Sequence, residues 1–131
     1  IYIYIMKCLK YKYNTESESE SIYFIPTSGV ERLYGGNFDL QNCCNTQSVG
    51  RIIFKGTTWV MNNVVFYDET VELILNNGRK VQGFSYYQDQ YQSGQSFSVK
   101  YVVTGGNGDF KNAQTITVVF NPDNTRQVCV N

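Results

Sequence analysis

The stretch "VELILNNGRKVQGFSYY", residues 71–87, decides the fold class. Two runs rich in Val, Leu, Ile, Phe and Tyr flank Asn77-Gly78, a pair that accepts the positive φ angles of a two-residue hairpin turn. We therefore predict that residues 71–75 and 79–87 form neighbouring antiparallel strands.

Strand-like runs continue on both sides of this hairpin. In "SFSVKYVV" the side chains of Phe97, Val99, Tyr101 and Val103 share one face, and "VGRIIFKGTTWVM", "NVVFYDETV" and "QTITVVF" are also strand-like. No segment has the periodicity of a helix. Roughly seven to nine short antiparallel strands are typical of a closed barrel or a sandwich, and closure hides the strand edges.

The length of 131 residues suits one all-β domain over residues 1–131. Residues 1–6, "IYIYIM", are interpreted either as an edge strand or as an upstream extension with the true start at Met6. Residues 14–21, "NTESESES", are predicted to be a solvated loop of acidic and serine side chains.

Composition and charge exclude several classes of function. The 11 basic and 11 acidic residues balance, so we expect no nucleic acid partner. Histidine is absent and the four cysteines have no CxxC spacing, which excludes histidine-based catalysis and leads us to expect neither a metal nor another cofactor. The opening apolar run is too short for a signal peptide, and no stretch approaches the ~20 apolar residues of a membrane helix, so we expect no export signal and no membrane span.

Three glycines lie in "YVVTGGNGDFKNAQ", residues 101–114, between two strand-like runs. A phosphate-binding loop needs a helix after its glycines, whereas a strand follows here. We interpret Gly105, Gly106 and Gly108 as a structural loop, a tight connection between two strands placed where a cavity opens.

The order of several motifs resembles the superfamily of plant dirigent proteins and allene oxide cyclases. "RLYGGNFD", "SVGRIIFKG", "KVQGFSYY" and "VVTGGNGDFKNAQ" follow each other as similar segments do in that superfamily, over roughly residues 29–120. The glycine loop is similar to its GGTGxF-type loop. The resemblance implies an eight-stranded antiparallel β-barrel, often a trimer, with an apolar cavity at one end that holds a reactive small molecule without metal or nucleotide.

The chain departs from the dirigent pattern after the glycine loop. Dirigent proteins continue into an arginine-glycine pair that lines the pocket, whereas Gln114 and Thr115 stand at the matching positions. A neutral amide does not stabilise negative charge as a guanidinium does. Arg51 and Arg79 are the candidates for a positive charge that reaches the pocket.

The resemblance also implies a disulfide between the first and last strands, where Cys8 and Cys129 stand. The alternative is two free buried thiols that pack as small apolar groups. A disulfide would favour an extracellular or particle-surface location, which the chain leaves open. The adjacent Cys43 and Cys44 have poor geometry for a mutual disulfide, so free thiols and partner contacts both stay open.

The first functional hypothesis is a dirigent-like or cyclase-like barrel that binds a hydrophobic small molecule and steers its stereochemistry. Candidate wall residues are the aromatic ones on predicted strands and in the glycine loop, with polar groups at the mouth; core filling is the alternative for the aromatic ones. The walls are Trp59, Phe84, Tyr86, Phe97, Tyr101 and Phe110, and the polar groups are Asp39, Asp109 and Gln114.

The second hypothesis is a non-catalytic structural subunit of a larger particle or filament. Tyrosine offers a large rigid contact area with one polar tip, which suits an interface between copies of this chain. A homo-oligomer is expected under either hypothesis. A carbohydrate-binding β domain is a third hypothesis, which depends on composition alone.

Overall fold

The structure is a computed structural model that describes residues 7–13, 18–22 and 32–131, and nine β-strands lie within these ranges. The strands are β1 (Lys7–Lys12), β2 (Glu18–Ile22), β3 (Arg32–Asn42), β4 (Ser48–Met61), β5 (Val64–Leu75), β6 (Lys80–Gln88), β7 (Phe97–Gly106), β8 (Thr115–Phe120) and β9 (Thr125–Val130). One 3-10 turn, Gly108–Phe110, follows β7. Residues 1–6, with their two interpretations, lie outside the described residues. The described part of the chain has no helix that could cross a membrane.

The strands pair antiparallel in the order β1-β9-β8-β7-β6-β5-β4-β3-β2. A further pairing of β1 with β3 closes eight of them into a barrel, and β2 continues along β3 on the same side as β1. The predicted all-β, eight-stranded antiparallel barrel is confirmed. Of the loop predicted at residues 14–21, residues 18–21 belong to β2 instead, because their backbone pairs with residues 33–36 of β3. Residues 14–17 of that loop lie outside the described residues.

Side-chain alternation decides which residues fill the barrel. In β5 the side chains of Glu69, Val71, Leu73 and Leu75 are buried inside, whereas the residues between them are more exposed. The other barrel strands contribute their own alternate residues to one continuous apolar core. This core is the outcome expected when a half-apolar strand pattern is rolled into a closed sheet.

Two hairpins flank β5, and they use different turns. Asn62 and Asn63, the two residues between β4 and β5, have φ of 52° and 64°, the left-handed pair of a type I′ turn. At the predicted hairpin, Gly78 alone has a positive φ of 86°, and its N–H donates to the carbonyl of Leu75 at 3.0 Å. The hairpin at residues 76–79 is confirmed, but the type I′ geometry predicted there belongs to Asn62-Asn63.

The glycine loop closes one end of the barrel. Phe110 is buried in the core, and a Cβ on Gly106 would lie 2.5 Å from the Phe110 carbonyl oxygen. Gly108 has a φ of 54°, whereas a Cβ on Gly105 would have room. The loop therefore needs glycine at positions 106 and 108 so that the Phe110 ring can seal the closed end.

Polar contacts hold this loop against the β5–β6 turn. Asp109 forms an ion pair with Arg79, and Asn107 Oδ1 accepts the N–H of Lys80 at 2.8 Å. The backbone N–H of Gln114 donates to the carbonyl of Asn131 at 2.7 Å. The glycine loop was expected beside a cavity, but these contacts and the Phe110 ring make it part of the closed end.

The predicted disulfide between Cys8 and Cys129 is present and joins β1 to β9. These cysteines are direct partners in the β1–β9 register, with Cα atoms 4.1 Å apart. They are 121 residues apart in sequence, so the bond restricts nearly the whole unfolded chain.

Replacing both cysteines (Cys8→Ser with Cys129→Ser) should lower the free energy of unfolding by about 2–5 kcal/mol, because the unfolded chain regains the entropy of an open loop. Urea unfolding followed by tyrosine and tryptophan fluorescence measures this change. The matched control is Cys43→Ser with Cys44→Ser, which removes two exposed thiols. Equal stability of the two double variants would contradict the expected role of the disulfide.

Candidate functional site

A cavity of about 710 Å³ occupies the end of the barrel opposite the glycine loop. Its walls are inward-facing side chains from the ends of strands that meet there, and the 71 % exposed Tyr91 marks its rim. The lining consists of Tyr13, Tyr34, Thr58, Val60, Val65, Tyr67, Glu69, Tyr87, Asp89, Tyr91, Phe97, Phe120 and Arg126. Most of these side chains are aromatic or apolar, and three charged residues, Glu69, Asp89 and Arg126, lie among them.

Glu69 forms the polar floor of this open-end cavity. Its side chain lies in the inward register of β5, and the residue is only 5 % exposed. The hydroxyl of Tyr34 donates to Oε2, the hydroxyl of Tyr101 donates to Oε1, and that of Tyr87 lies 3.4 Å from Oε2. Three strands, β3, β6 and β7, thus converge on one carboxyl group through tyrosine hydroxyls.

Burial decides the protonation of this cluster. Burial raises the pKa of the Glu69 carboxyl above its usual value of 4.5, although the three tyrosine hydroxyls and the charge of Arg126 oppose the shift. Burial, and then the charge of Glu69, raises the pKa of Tyr34, Tyr87 and Tyr101. The tyrosines therefore keep their protons, and Glu69 keeps its proton to a higher pH than an exposed glutamate does.

Arg126 brings a positive charge to the side of the cavity. Its guanidinium carbon lies 4.3 Å from the ring centroid of Tyr13 and 4.5 Å from that of Phe120. Its Nη1 donates to the Tyr11 hydroxyl at 3.2 Å. The guanidinium is thus held between two aromatic faces, an arrangement that fixes its position without neutralising its charge.

A recess of about 50 Å³ behind Arg126 extends the cavity towards the core rings of Phe38 and Phe54. Glu69 and Arg126 both line this recess. The polar pair therefore lies between the wide apolar mouth and the packed part of the core.

Two of the predicted wall residues belong to this region. Phe97 lines the cavity, where its ring stacks on Phe120 with centroids 4.7 Å apart. Tyr101 is buried, and its hydroxyl reaches Glu69. The structure therefore brings these two of the nine candidate residues to the open-end cavity.

The other predicted aromatic wall residues on strands face outwards. Trp59, Phe66 and Tyr86 form an aromatic cluster on the outside of β4, β5 and β6, with Trp59 and Tyr86 centroids 5.6 Å apart. Phe84 is also on the outer face and is 40 % exposed. These residues occupy the opposite alternation phase from Glu69 and Tyr87, so their side chains do not reach the cavity.

The remaining predicted residues also lie away from the cavity. Asp39 faces outwards and accepts a hydrogen bond from Ser48 at 2.5 Å, with Arg51 Nη1 at 3.9 Å. The others, Asp109, Phe110 and Gln114, belong to the closed end. Arg51 and Arg79 were the candidates for a pocket charge. Arg51 contacts Asn37 and Asp39 on the outer face, and Arg79 pairs with Asp109 at the closed end. Arg126 is the arginine that lines the cavity.

A second depression, of about 570 Å³, lies on the outer surface of β3 to β7. Its charged residues Lys55 and Glu72 are not buried. We regard the open-end cavity as the candidate site because it contains the buried carboxyl.

The described residues include no group of three or more Cys, Asp or Glu side chains that could hold a metal ion.

Sequence reasoning missed Glu69 and Arg126, although the signal for Glu69 was present. In "YDETVELIL" the inward phase reads Tyr67, Glu69, Val71, Leu73, Leu75, so a single acid interrupts an apolar series. An acid in the core phase of a strand needs partners, and this need indicates a buried polar site.

Comparisons with protein-family models, curated proteins and solved structures found no match for this chain.

The stability of the protein should fall as the pH rises above about 4.5, through ionisation of Glu69. Its raised pKa means that the folded protein binds the proton more tightly than the unfolded chain, so the contribution is complete below 4.5 and is lost as the pH passes the folded pKa. Denaturation curves between pH 4 and 8 for the wild type and Glu69→Gln measure the difference. The variant cannot ionise there, so the difference in unfolding free energy should change with pH; a constant difference would contradict the assignment.

Proposed function

We propose that this barrel binds a hydrophobic small molecule in its open-end cavity, with the polar end of the ligand at Glu69 and Arg126. One observation carries the proposal: a buried carboxyl group lies at the floor of an aromatic-lined cavity that opens to solvent. A volume of about 710 Å³ is within the range of small-molecule sites, which combine apolar walls with a few convergent polar groups.

The walls favour an apolar or aromatic ligand body. Tyr67 and Tyr87 stack with ring centroids 4.9 Å apart on one side, and Phe97 and Phe120 stack on the other. Flat ring systems bind well beside such rings, because offset and edge-on aromatic contacts add to the burial of apolar area.

The polar groups favour a ligand with an oxygen function. A protonated Glu69 donates a hydrogen bond to a hydroxyl, carbonyl or ether oxygen, and an ionised Glu69 accepts a proton from one. Arg126 attracts negative charge on the same ligand. Between ring walls and two fixed polar groups, a reactive ligand has one preferred orientation, which is the physical basis on which the barrel would steer stereochemistry.

A dirigent-like or cyclase-like role is part of this proposal. The closed eight-stranded barrel and a cavity at one of its ends support it. The positive charge that Gln114 and Thr115 do not supply would come from Arg126, which reaches the cavity from β9 instead of from the glycine loop.

A thermal-shift screen of phenolic and fatty-acid ligands tests this function, followed by titration of the best ligand. Binding should raise the melting temperature of the wild type, and Glu69→Gln should weaken binding about tenfold or more because the amide can neither donate a carboxyl proton nor carry the negative charge of Glu69. The matched control is Glu72→Gln, on the same strand but facing outwards. If no ligand binds, or if Glu69→Gln binds as the wild type does, the proposal fails.

A structural or assembly subunit is the second candidate, and the exposed apolar outer face favours it. On this face Phe84 is 40 % exposed, Tyr86 58 % and Val102 64 %, and Phe84 and Val102 are direct partners across β6 and β7. Contiguous exposed apolar side chains are typical of protein interaction surfaces.

Light scattering coupled to size-exclusion chromatography tests the assembly candidate. If copies associate through the outer face, Phe84→Ser with Val102→Ser should shift the protein towards the monomer, because the apolar contact area is lost. Lys100→Ser, at another exposed outer position of β7, is the control. A wild-type monomer at all concentrations would exclude self-assembly through this face.

A further inference from the structure

The four cysteines of the chain meet at the closed end of the barrel. Cys8 is bonded to Cys129, and Cys43 and Cys44 are exposed free thiols directly after β3. The last β1–β3 pair is Leu9 with Asn42, and Cys43, the first turn residue after β3, is next along the chain on the side of Cys8. If the register is extended by one position, Cys43 faces Cys8, and opposite residues in antiparallel strands have Cα atoms ~4.5–5.5 Å apart, within the reach of a disulfide.

The alternation of β1 places these thiols on one side of the sheet. Leu9 and Val128 are buried inside the barrel, so the neighbouring Cys8 and Cys129 lie on its outer side, where both are half-buried. Asn42 is the partner of the inward Leu9, which assigns the next position, Cys43, to the outer side with Cys8. The Cys8–Cys129 disulfide and the free Cys43 thiol therefore lie on the same, outer side of the sheet, from which Cys43 can attack the disulfide.

We propose that Cys43 exchanges with the Cys8–Cys129 disulfide, which makes the closed end a thiol–disulfide switch with two linkage isomers. The Cys43 thiolate attacks Sγ of Cys8, the Cys8–Cys43 bond forms and the Cys8–Cys129 bond breaks. Cys129 leaves as a thiolate and takes up the proton that Cys43 released. The step conserves one disulfide and two thiols, so it needs no external oxidant or reductant.

Cys44 is placed to assist this exchange. Its Sγ lies 3.2 Å from Sγ of Cys43, and the hydrogen bond between them raises the pKa of Cys44. Either thiol can donate this hydrogen bond, so a Cys43 thiolate can accept it from Cys44. The register beside Cys8 assigns Cys43 as the attacking thiol and leaves Cys44 as a positioning residue.

The two isomers would tie different strands together. The Cys8–Cys129 bond joins β1 and β9, which already share six register pairs, from Lys7 with Val130 to Lys12 with Thr125. A Cys8–Cys43 bond would join β1 and β3, where the described chain has two register pairs. Exchange therefore moves the covalent link to the short seam that closes the barrel, whatever ligand the cavity binds.

Disulfide mapping after incubation at pH 8.5 without added oxidant or reductant tests the switch. Trypsin places Cys8 in peptide 8–10, Cys43 and Cys44 together in 33–51, and Cys129 in 127–131, so linkage of 8–10 to 33–51 and linkage of 8–10 to 127–131 have different masses after alkylation of free thiols. We expect peptide 8–10 linked to 33–51 in a fraction that forms about tenfold faster per pH unit below ~8.5, as thiolate attack requires. The rate should not change on dilution, because the exchange is intramolecular.

Variants identify the attacking thiol. Cys44→Ser should keep the Cys8–Cys43 linkage and Cys43→Ser should lose it. Cys129→Ser treated with oxidised glutathione should form Cys8–Cys43 directly, and Cys129→Ser with Cys43→Ser is its control. If the wild type and Cys44→Ser retain only the Cys8–Cys129 linkage at pH 8.5, the proposal is overturned, whether or not Cys129→Ser folds.

Discussion

Closure of one antiparallel sheet on itself is the constraint on which the rest of the structure depends. Once β1 pairs with β3, every second side chain of eight strands must share a single interior. At the closed end Leu, Ile and Val side chains fill that interior, and the Phe110 ring completes the packing. At the other end the lining carries tyrosines, phenylalanines and three charged residues, and the cavity lies there.

The carboxyl of Glu69 is a polar group buried in the apolar interior of the barrel. An ionised carboxylate in an apolar interior loses several kcal/mol of hydration, so a buried acid must be protonated or well hydrogen-bonded. Tyr34, Tyr87 and Tyr101 provide the hydrogen bonds, because each presents a hydroxyl on a large apolar ring, whereas burial favours the protonated form. The same rings that satisfy Glu69 therefore build the cavity around it.

The sequence predicts the barrel well, because alternation and turn residues are local signals. "VELIL" and "SFSVKYVV" read as strands, and the shared face predicted for Phe97, Val99, Tyr101 and Val103 agrees with the structure. The cavity was harder to predict, because it depends on which strand ends meet after closure. Trp59 and Tyr86 have the composition of a pocket wall but the outward phase, whereas the inward phase of Glu69 was visible and not used.

The location of the glycine loop shows the same limit. A loop between β7 and β8 lies at one end of the barrel or the other according to strand direction, which three glycines do not reveal. Arg126 was equally hidden, since its closeness to Glu69 arises from the pairing of β9 with β1, a contact between residues at opposite ends of the chain. Non-local pairing of this kind leaves no pattern in a short window of sequence.

The two ends of the barrel differ in how strongly covalent bonds and packing restrain them. The disulfide, the Phe110 ring and the Arg79–Asp109 ion pair all restrain the closed end. Backbone amides near that end should therefore exchange with solvent only through global unfolding, and those at the opposite rim through smaller local openings. The rim can open locally while the closed end keeps the strands in register.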